Sequence, residues 1–163
     1  IFHRHTERVK MANIAQTVNV LQAMLLTDGG KMAKTPSYHV FAMYLPFQDA
    51  TFLPVEAKAP LLQSGKDSFP AFNISAARAK DGKVHVAIAN MDPQNVQQIR
   101  LALGGLKAKT ASGQILTHAK MDAHNVPGAP EAISPAPFKG AKISGGALTL
   151  NIPAKSVVVV RLD

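Results

Sequence analysis

The sequence contains no cysteine and no tryptophan among its 163 residues. The absence of cysteine excludes a disulfide, a thiolate metal site and a cysteine nucleophile. It does not distinguish between the cytoplasm and the periplasm of a bacterium as the location of the protein. No apolar run approaches the roughly 18 residues of a membrane-spanning helix, so we expect no membrane partner. Charged residues are scarce, at 17% against about 25% in ordinary domains. Hydrophobic residues reach 47%, which predicts a packed core rather than a disordered tail.

The charges that are present are mostly basic, with 18 Lys and Arg against 10 Asp and Glu and a net charge of +8. The basic residues are scattered, and almost no aromatic residues lie among them. Proteins that bind single-stranded nucleic acid combine a basic groove with aromatic side chains that stack on bases. We therefore interpret the basic residues as a solvated surface and expect no nucleic-acid partner.

Residues 1–47 have a helix-like spacing of apolar residues. Residues 1–11 are predicted to be the last turns of a helix, and residues 12–21 a short buried strand that leads into a loop. Thr35 is suited to cap a helix that begins at Pro36 and is stopped by Pro46. The aromatic residues within that helix, Tyr38, Phe41 and Tyr44, are expected to pack inward.

Residues 48–163 instead consist of short alternating runs separated by Gly and Pro. Asp81-Gly82 predicts a hairpin turn, and residues 51–55 predict an edge strand because Pro54 interrupts them. The four consecutive valines within residues 156–162 predict a central strand that is buried on both faces. Six to eight such strands indicate an antiparallel β-sandwich or jelly roll, so the chain is expected to be mainly β.

Several segments resemble the family 51 glycoside hydrolases, the α-L-arabinofuranosidases. They are residues 11–22 (MANIAQTVNVLQ), 26–29 (LTDG), 35–44 (TPSYHVFAMY), 48–51 (QDAT) and 122–125 (DAHN). The resemblance is dense over residues 8–51 and looser beyond them. It departs at Gly30, where the family commonly has a longer polar residue.

The resemblance implies a two-domain enzyme. Residues 1–47 would be the C-terminal end of a (β/α)₈ catalytic barrel, including its last strand and helix, and residues 48–163 would be the β-sandwich domain. The family is retaining and uses two glutamates, one as acid/base and one as nucleophile. Neither motif is present here, because residues 1–47 contain only Glu7 and Asp28 as carboxylates. We therefore expect no catalytic residue in this chain and no activity from the chain alone.

One binding residue is implied by the resemblance. Gln16, in the run NIAQ, matches a family glutamine that hydrogen-bonds arabinose. An amide carries two donors and an acceptor, which suits it to sugar hydroxyls, and barrel active sites lie at the C-terminal ends of the strands. The alternative is that Gln16 satisfies backbone groups inside the barrel. Asn13 and Asn19 are expected to be structural.

Two other clusters have simpler explanations than a reactive site. His3-Arg4-His5 could suggest a metal site, but a solvated helix face is favoured, so no metal is expected. Asp122 and His124 could suggest a catalytic pair, but no Gly-x-Ser-x-Gly motif accompanies them. A role in structuring the loop, or in contact between sandwich and barrel, is favoured for residues 122–125.

The chain begins without Met, and we expect it to be a fragment whose partner is the upstream part of the same barrel. The intact enzyme would need no cofactor, would act on arabinose-containing hemicellulose oligosaccharides and would form homo-oligomers. The alternative is a free-standing, non-catalytic β-sandwich that binds polysaccharide or protein. Independent sugar binding by residues 48–163 is not expected, because sugar platforms generally need exposed Trp or Tyr and this region has neither.

Overall fold

The computed structural model describes residues 2–163. The part of the chain before residue 48 contains one hairpin, one α-helix and two short 3₁₀ helices. These elements are the 3₁₀ helix Phe2–His5, β1 (Leu25–Asp28), β2 (Lys31–Lys34), α1 (Pro36–Met43) and the 3₁₀ helix Leu45–Phe47. Within residues 2–163, no helix has the length and apolarity that crossing a membrane requires.

The rest of the chain is built from antiparallel strands. They are β3 (Thr51–Leu53), β4 (Leu61–Ser64), β5 (Asp67–Pro70), β6 (Phe72–Arg78), β7 (Val84–Asn90), β8 (Gln97–Ala102), β9 (Ala111–Thr117), β10 (Ala136–Pro137), β11 (Ala141–Ser144), β12 (Ala147–Ile152) and β13 (Ser156–Leu162). Six of them form a sheet in the order β10-β9-β13-β7-β6-β3, and three form a second sheet in the order β11-β12-β8. The mainly β prediction is confirmed. The expected number of strands was too low, because β4, β5, β10 and β11 are at most four residues long and give little signal in the sequence.

The two sheets share one hydrophobic core. Ile88 and Val158 of the six-stranded sheet and Leu150 of the three-stranded sheet are completely buried in the same cluster. β13 pairs with β7 on one side and β9 on the other. Its second face is also covered, because Val159 packs against Met43 of α1. The prediction of a central strand buried on both faces is therefore confirmed.

Local signals also placed the start of α1 and the turns correctly. The helix begins at Pro36, and its Thr35 cap accepts a hydrogen bond from the Tyr38 N–H at 3.3 Å. It ends at Met43, before the predicted stop at Pro46, which lies within the 3₁₀ helix Leu45–Phe47. Asp81-Gly82 lies between β6 and β7, which pair as a hairpin. Gly82 has φ 81°, a left-handed conformation that favours glycine. β3 lies at the edge of its sheet, as its proline-containing sequence predicted.

The prediction of a buried strand within residues 12–21 was wrong. These residues form a mostly exposed loop whose one ladder contact within the described chain is a single bridge between Val18 and Leu25. Asn19 and Gln22 have φ values of 55° and 58°, in the left-handed region, which breaks an extended strand. The strand expected to precede α1 in a barrel is therefore not formed in this structure.

The helix predicted over residues 1–11 was also largely wrong. Ile1 lies outside the described residues, and helical structure in the rest is confined to the 3₁₀ turn Phe2–His5. The apolar side chains that suggested a helix are not buried by it, since Phe2 is 59% exposed and Met11 is 77% exposed. Short helices without such packing are marginal in water.

The buried face of α1 differs from the expected aromatic stripe. His39 and Met43 are buried, whereas Phe41 is 43% exposed and Tyr38 and Tyr44 are half-buried. Residues four positions apart share one face of a helix, so His39 and Met43 face the sandwich together. The prediction that Tyr38, Phe41 and Tyr44 pack inward was therefore wrong for the stripe as a whole.

Candidate substrate-contacting loop and its supports

Gln16 is exposed and lies in the mostly exposed loop of residues 11–24, which we call the Gln16 loop. Within residues 2–163 its side chain makes no hydrogen bond, so both amide N–H groups and the carbonyl oxygen are free of protein partners. Such a side chain can donate to and accept from the hydroxyl groups of a sugar.

The loop is anchored immediately after Gln16. The backbone N–H groups of Met24 and Leu25 both donate to the Thr17 carbonyl oxygen at 3.0 Å. Asn19 bonds Thr27 of β1 twice, because its Nδ2 donates to Thr27 Oγ1 at 2.8 Å and its Oδ1 accepts from the Thr27 N–H at 2.8 Å. Asn19 therefore has the structural role that was expected of it. Asn13 is exposed, and its Nδ2 lies 3.4 Å from Met11 Sδ.

Thr35 connects the Gln16 loop to α1. Its N–H donates to the Met24 carbonyl oxygen at 2.9 Å. Its hydroxyl donates to the Ala23 carbonyl oxygen at 2.7 Å while accepting from the Tyr38 N–H at 3.3 Å. One residue thus caps the helix and holds the end of the loop.

Asn125 is the member of the run DAHN that structures its loop. It is 1% exposed. Its Nδ2 donates to the carbonyl oxygens of Ile133 at 2.7 Å and Lys34 at 2.8 Å, and its Oδ1 accepts from the Ile133 N–H at 2.8 Å. By contrast, His124 Nδ1 lies 2.9 Å from the Asp122 backbone oxygen, so the two side chains form no catalytic pair. The sequence indicated the right segment, but a fully satisfied buried amide leaves no signal that distinguishes Asn125 from its neighbours.

The N-terminal segment packs on the sandwich through His3 and Arg4. His3 Nδ1 lies 2.9 Å from Ser75 Oγ, and its ring stacks on Phe47 with the centroids 4.8 Å apart. Arg4 donates to the Ile74 carbonyl oxygen at 3.2 Å. Burial lowers the pKa of His3 below its usual value, which favours the neutral ring. The expectation of a solvated face was therefore wrong at His3, which is a docking contact.

Neither carboxylate of the first 47 residues is arranged for catalysis. Glu7 is exposed and its carboxylate lies 3.8 Å from His5 Nδ1. Asp28 lies beside the turn between β1 and β2 and is exposed. Within residues 2–163 neither group forms a hydrogen bond with Gln16. In the same range, no three His, Asp or Glu side chains are grouped to hold a metal ion.

Large apolar side chains are unusually exposed in the first 47 residues. Of the thirteen exposed large apolar side chains in the described chain, seven lie there: Phe2, Met11, Val18, Leu21, Met32, Phe41 and Leu45. Leu21 is 92% exposed and Met11 is 77% exposed. A cavity of about 530 Å³ also opens between the N-terminal segment and α1 and is lined by Phe2, Ile14, Phe41 and Tyr44. Contiguous exposed apolar patches mark surfaces that bind another protein, a ligand or a membrane.

Comparison with known families shows to which protein family the chain belongs. The family model for the α-L-arabinofuranosidase C-terminal domain matches residues 1–156. The chain belongs to this family. The arabinofuranosidase C-terminal domain also shares 44% identity with an intracellular exo-α-L-arabinofuranosidase of Bacteroides ovatus, over 100% of this chain and 32% of that enzyme. The predicted resemblance to family 51 enzymes is confirmed.

Solved structures agree with this assignment. The family 51 arabinofuranosidase of Xanthomonas axonopodis pv. citri is similar with a TM-score of 0.96 and 46% identity, over 99% of this chain and 33% of that chain. A family 51 enzyme of Bifidobacterium longum has the same fold, with a TM-score of 0.85 at 21% identity over 99% of this chain and 32% of that one. This arabinofuranosidase C-terminal domain therefore spans about a third of the length of the relatives it matches.

Proposed function

We propose that this chain completes a retaining α-L-arabinofuranosidase. Residues 1–47 form the end of a (β/α)₈ catalytic barrel, and residues 48–163 form a jelly-roll-like sandwich that braces it. The acid/base and nucleophilic glutamates lie on the upstream part of the barrel, so this chain by itself is inactive. The intact enzyme releases terminal arabinofuranose from hemicellulose oligosaccharides without a metal or organic cofactor.

The observation that carries the proposal is the exposed apolar surface of residues 2–47. That segment is docked on the sandwich through His3, Arg4 and α1, yet side chains such as Leu21 and Met11 stay exposed at 92% and 77%. A free-standing module that binds only polysaccharide would have no use for this surface. The upstream part of a barrel would cover it and would remove the apolar area from water.

We further propose that Gln16 hydrogen-bonds arabinose in the completed site. Its amide is exposed and has no protein partner within residues 2–163, while the next residue, Thr17, is held by two hydrogen bonds of 3.0 Å. A free polar group on a fixed backbone is suited to orient a substrate, because little backbone freedom is lost on binding.

The proposal is tested with a chimera of the Xanthomonas enzyme in which the corresponding third is replaced by these 163 residues. We expect the chimera to hydrolyse 4-nitrophenyl α-L-arabinofuranoside and the separate chain not to do so. Gln16→Ala in the chimera is expected to lower kcat/KM by about tenfold or more, the effect of losing about 1.4 kcal/mol of transition-state binding.

Matched controls make the outcomes distinct. Gln22→Ala changes another exposed glutamine of the same loop and is expected to leave kcat/KM unchanged. Release of arabinose by the separate chain would contradict the missing glutamate pair, and an unchanged kcat/KM in Gln16→Ala would remove the sugar contact. Retention of the separate chain in an arabinan affinity gel would favour the binding-module alternative. Light scattering of the chimera tests the expectation that the intact enzyme forms homo-oligomers.

A further inference from the structure

We propose that Asn125 of the sandwich is a positioning residue that fixes the loop carrying Gln16. The inference rests on the proposed function for its catalytic meaning, whereas the positioning itself is a property of this chain. It gives the sandwich a direct part in shaping the substrate site, beyond bracing the barrel.

One side-chain hydrogen bond of Asn125 crosses from the sandwich to the N-terminal part of the chain. Two of the three Asn125 side-chain hydrogen bonds close its own loop at Ile133, but the third reaches the Lys34 carbonyl oxygen at 2.8 Å, across 91 residues of sequence. Both Nδ2 protons are used, because each bonds a different carbonyl oxygen. At 1% exposure the amide is shielded from water, so its loss leaves polar groups unpaired.

Further hydrogen bonds connect the backbone after Lys34 with the backbone beside Gln16. Lys34 ends β2, and the next residue, Thr35, bonds Met24 and Ala23 through its N–H at 2.9 Å and its hydroxyl at 2.7 Å. Met24 in turn donates to the Thr17 carbonyl oxygen at 3.0 Å. Each bond fixes backbone, and Thr17 is adjacent to Gln16. The position of Gln16 is thus tied to Asn125 through three short hydrogen-bonded steps.

The same sandwich loop also lies against α1. Glu131 Oε2 lies 3.6 Å from Nε2 of His39, a side chain that is 6% exposed. Met43, one turn further along α1, packs with Ile133. The loop that carries Asn125 therefore contacts both β2 and α1, and these contacts hold Asn125 in place.

The positioning role is tested by amide hydrogen exchange in the 163-residue chain. Asn125→Asp keeps the shape and the acceptor but removes the Nδ2 donor. We expect exchange at the Met24, Leu25 and Thr35 amides to become at least about tenfold faster relative to the amides of β13, which report global unfolding.

The matched control is Asn90→Asp. Asn90 is also buried, and its Nδ2 bonds the carbonyl oxygens of Asn95, Ile152 and Pro153, but none of these bonds reaches the Gln16 loop. This variant is expected to leave the relative exchange at Met24 and Leu25 unchanged. If Asn125→Asp does not fold, Asn125→Ser is measured instead. Equal exchange in the Asn125 and Asn90 variants would overturn the inference, whatever the activity of the chimera.

Kinetics of the chimera test whether Asn125 acts through Gln16. Asn125→Asp is expected to lower kcat/KM by about fivefold or more when Gln16 is present. In the Gln16→Ala variant it is expected to have no further effect, because the effects of substitutions at coupled residues are not additive. Additive effects of the two substitutions would contradict the inference while leaving the proposed function intact. An active chimera indifferent to Gln16→Ala would instead contradict the proposed sugar contact, and hydrogen exchange would still decide the role of Asn125.

Discussion

Removing the Thr35 hydroxyl is expected to destabilise the junction between the Gln16 loop and α1. In Thr35→Ala the helix loses its N-cap acceptor for the Tyr38 N–H, and the Ala23 carbonyl oxygen loses a donor at 2.7 Å. An N-cap of this kind contributes about 1 kcal/mol. A typical intramolecular hydrogen bond contributes about another 1 kcal/mol.

The two losses together predict a decrease of about 2 kcal/mol in the free energy of unfolding. For a chain of this size that corresponds to a decrease of about 4–8 °C in Tm. Urea denaturation and thermal unfolding, both followed by circular dichroism, measure the two quantities. The matched control is Thr35→Ser, which keeps the hydroxyl and is expected to stay within about 0.5 kcal/mol of the unaltered chain.

Two results would refute this reasoning. If Thr35→Ala and Thr35→Ser lost the same stability, the methyl group rather than the hydroxyl would be responsible. If Thr35→Ala lost less than about 0.5 kcal/mol, the cap and the bond to Ala23 would not contribute as the geometry requires.

Two further predictions concern the sandwich. Gly113→Ala is expected to cost about 1–3 kcal/mol by overpacking, because its Cβ would lie 2.5 Å from the Val159 carbonyl oxygen of β13, whereas Gly30→Ala meets no atom within 4 Å and should be nearly neutral; thermal unfolding compares the two. Backbone N–H groups of Gln94 and Asn95 hold the pKa of the Asp92 carboxyl below its usual 3.8, so its stabilising effect is present above that pH and is lost as the pH falls through the lowered pKa. In urea denaturation, Asp92→Asn should therefore be less stable than the unaltered chain at neutral pH, and the difference should shrink toward about pH 2.

Each of these has a clear contrary result. Equal Tm values for Gly113→Ala and Gly30→Ala would show that β9 can move away from β13 without cost. A difference between Asp92→Asn and the unaltered chain that stayed constant with pH would mean that the charge of Asp92 is not what stabilises its turn.

Much of the secondary structure could be predicted because its causes are local. Thr35 and Pro36 set the start of α1 through one cap and one fixed dihedral angle, and both act within a single turn. Turns such as Asp81-Gly82 depend on the left-handed freedom of glycine. Strands such as β13 were predicted because continuous valines can be buried on both faces, although the sequence alone did not say against what.

The errors have the opposite origin. Residues 12–21 have the composition of a strand, but a strand needs a partner with which to form a ladder, and the described chain supplies only the bridge at Val18. The buried face of α1 was misassigned because aromatic residues are usually buried, whereas Met43 rather than Phe41 faces the sandwich. His3 was wrongly expected to be solvated. Its stacking partner Phe47 is distant in sequence, so the contact is not visible in the sequence alone.

The sequence by itself determined the family, the helix cap, the turns and the alternation of the main strands, because each depends on residues that are neighbours in the chain. Only the tertiary structure decided which buried amide connects the sandwich to the Gln16 loop. The bond from Asn125 to Lys34 joins residues 91 positions apart. Such a pairing exists only after both segments have packed. Packing excludes water from the amide, and a buried amide without a hydrogen-bond partner is energetically costly.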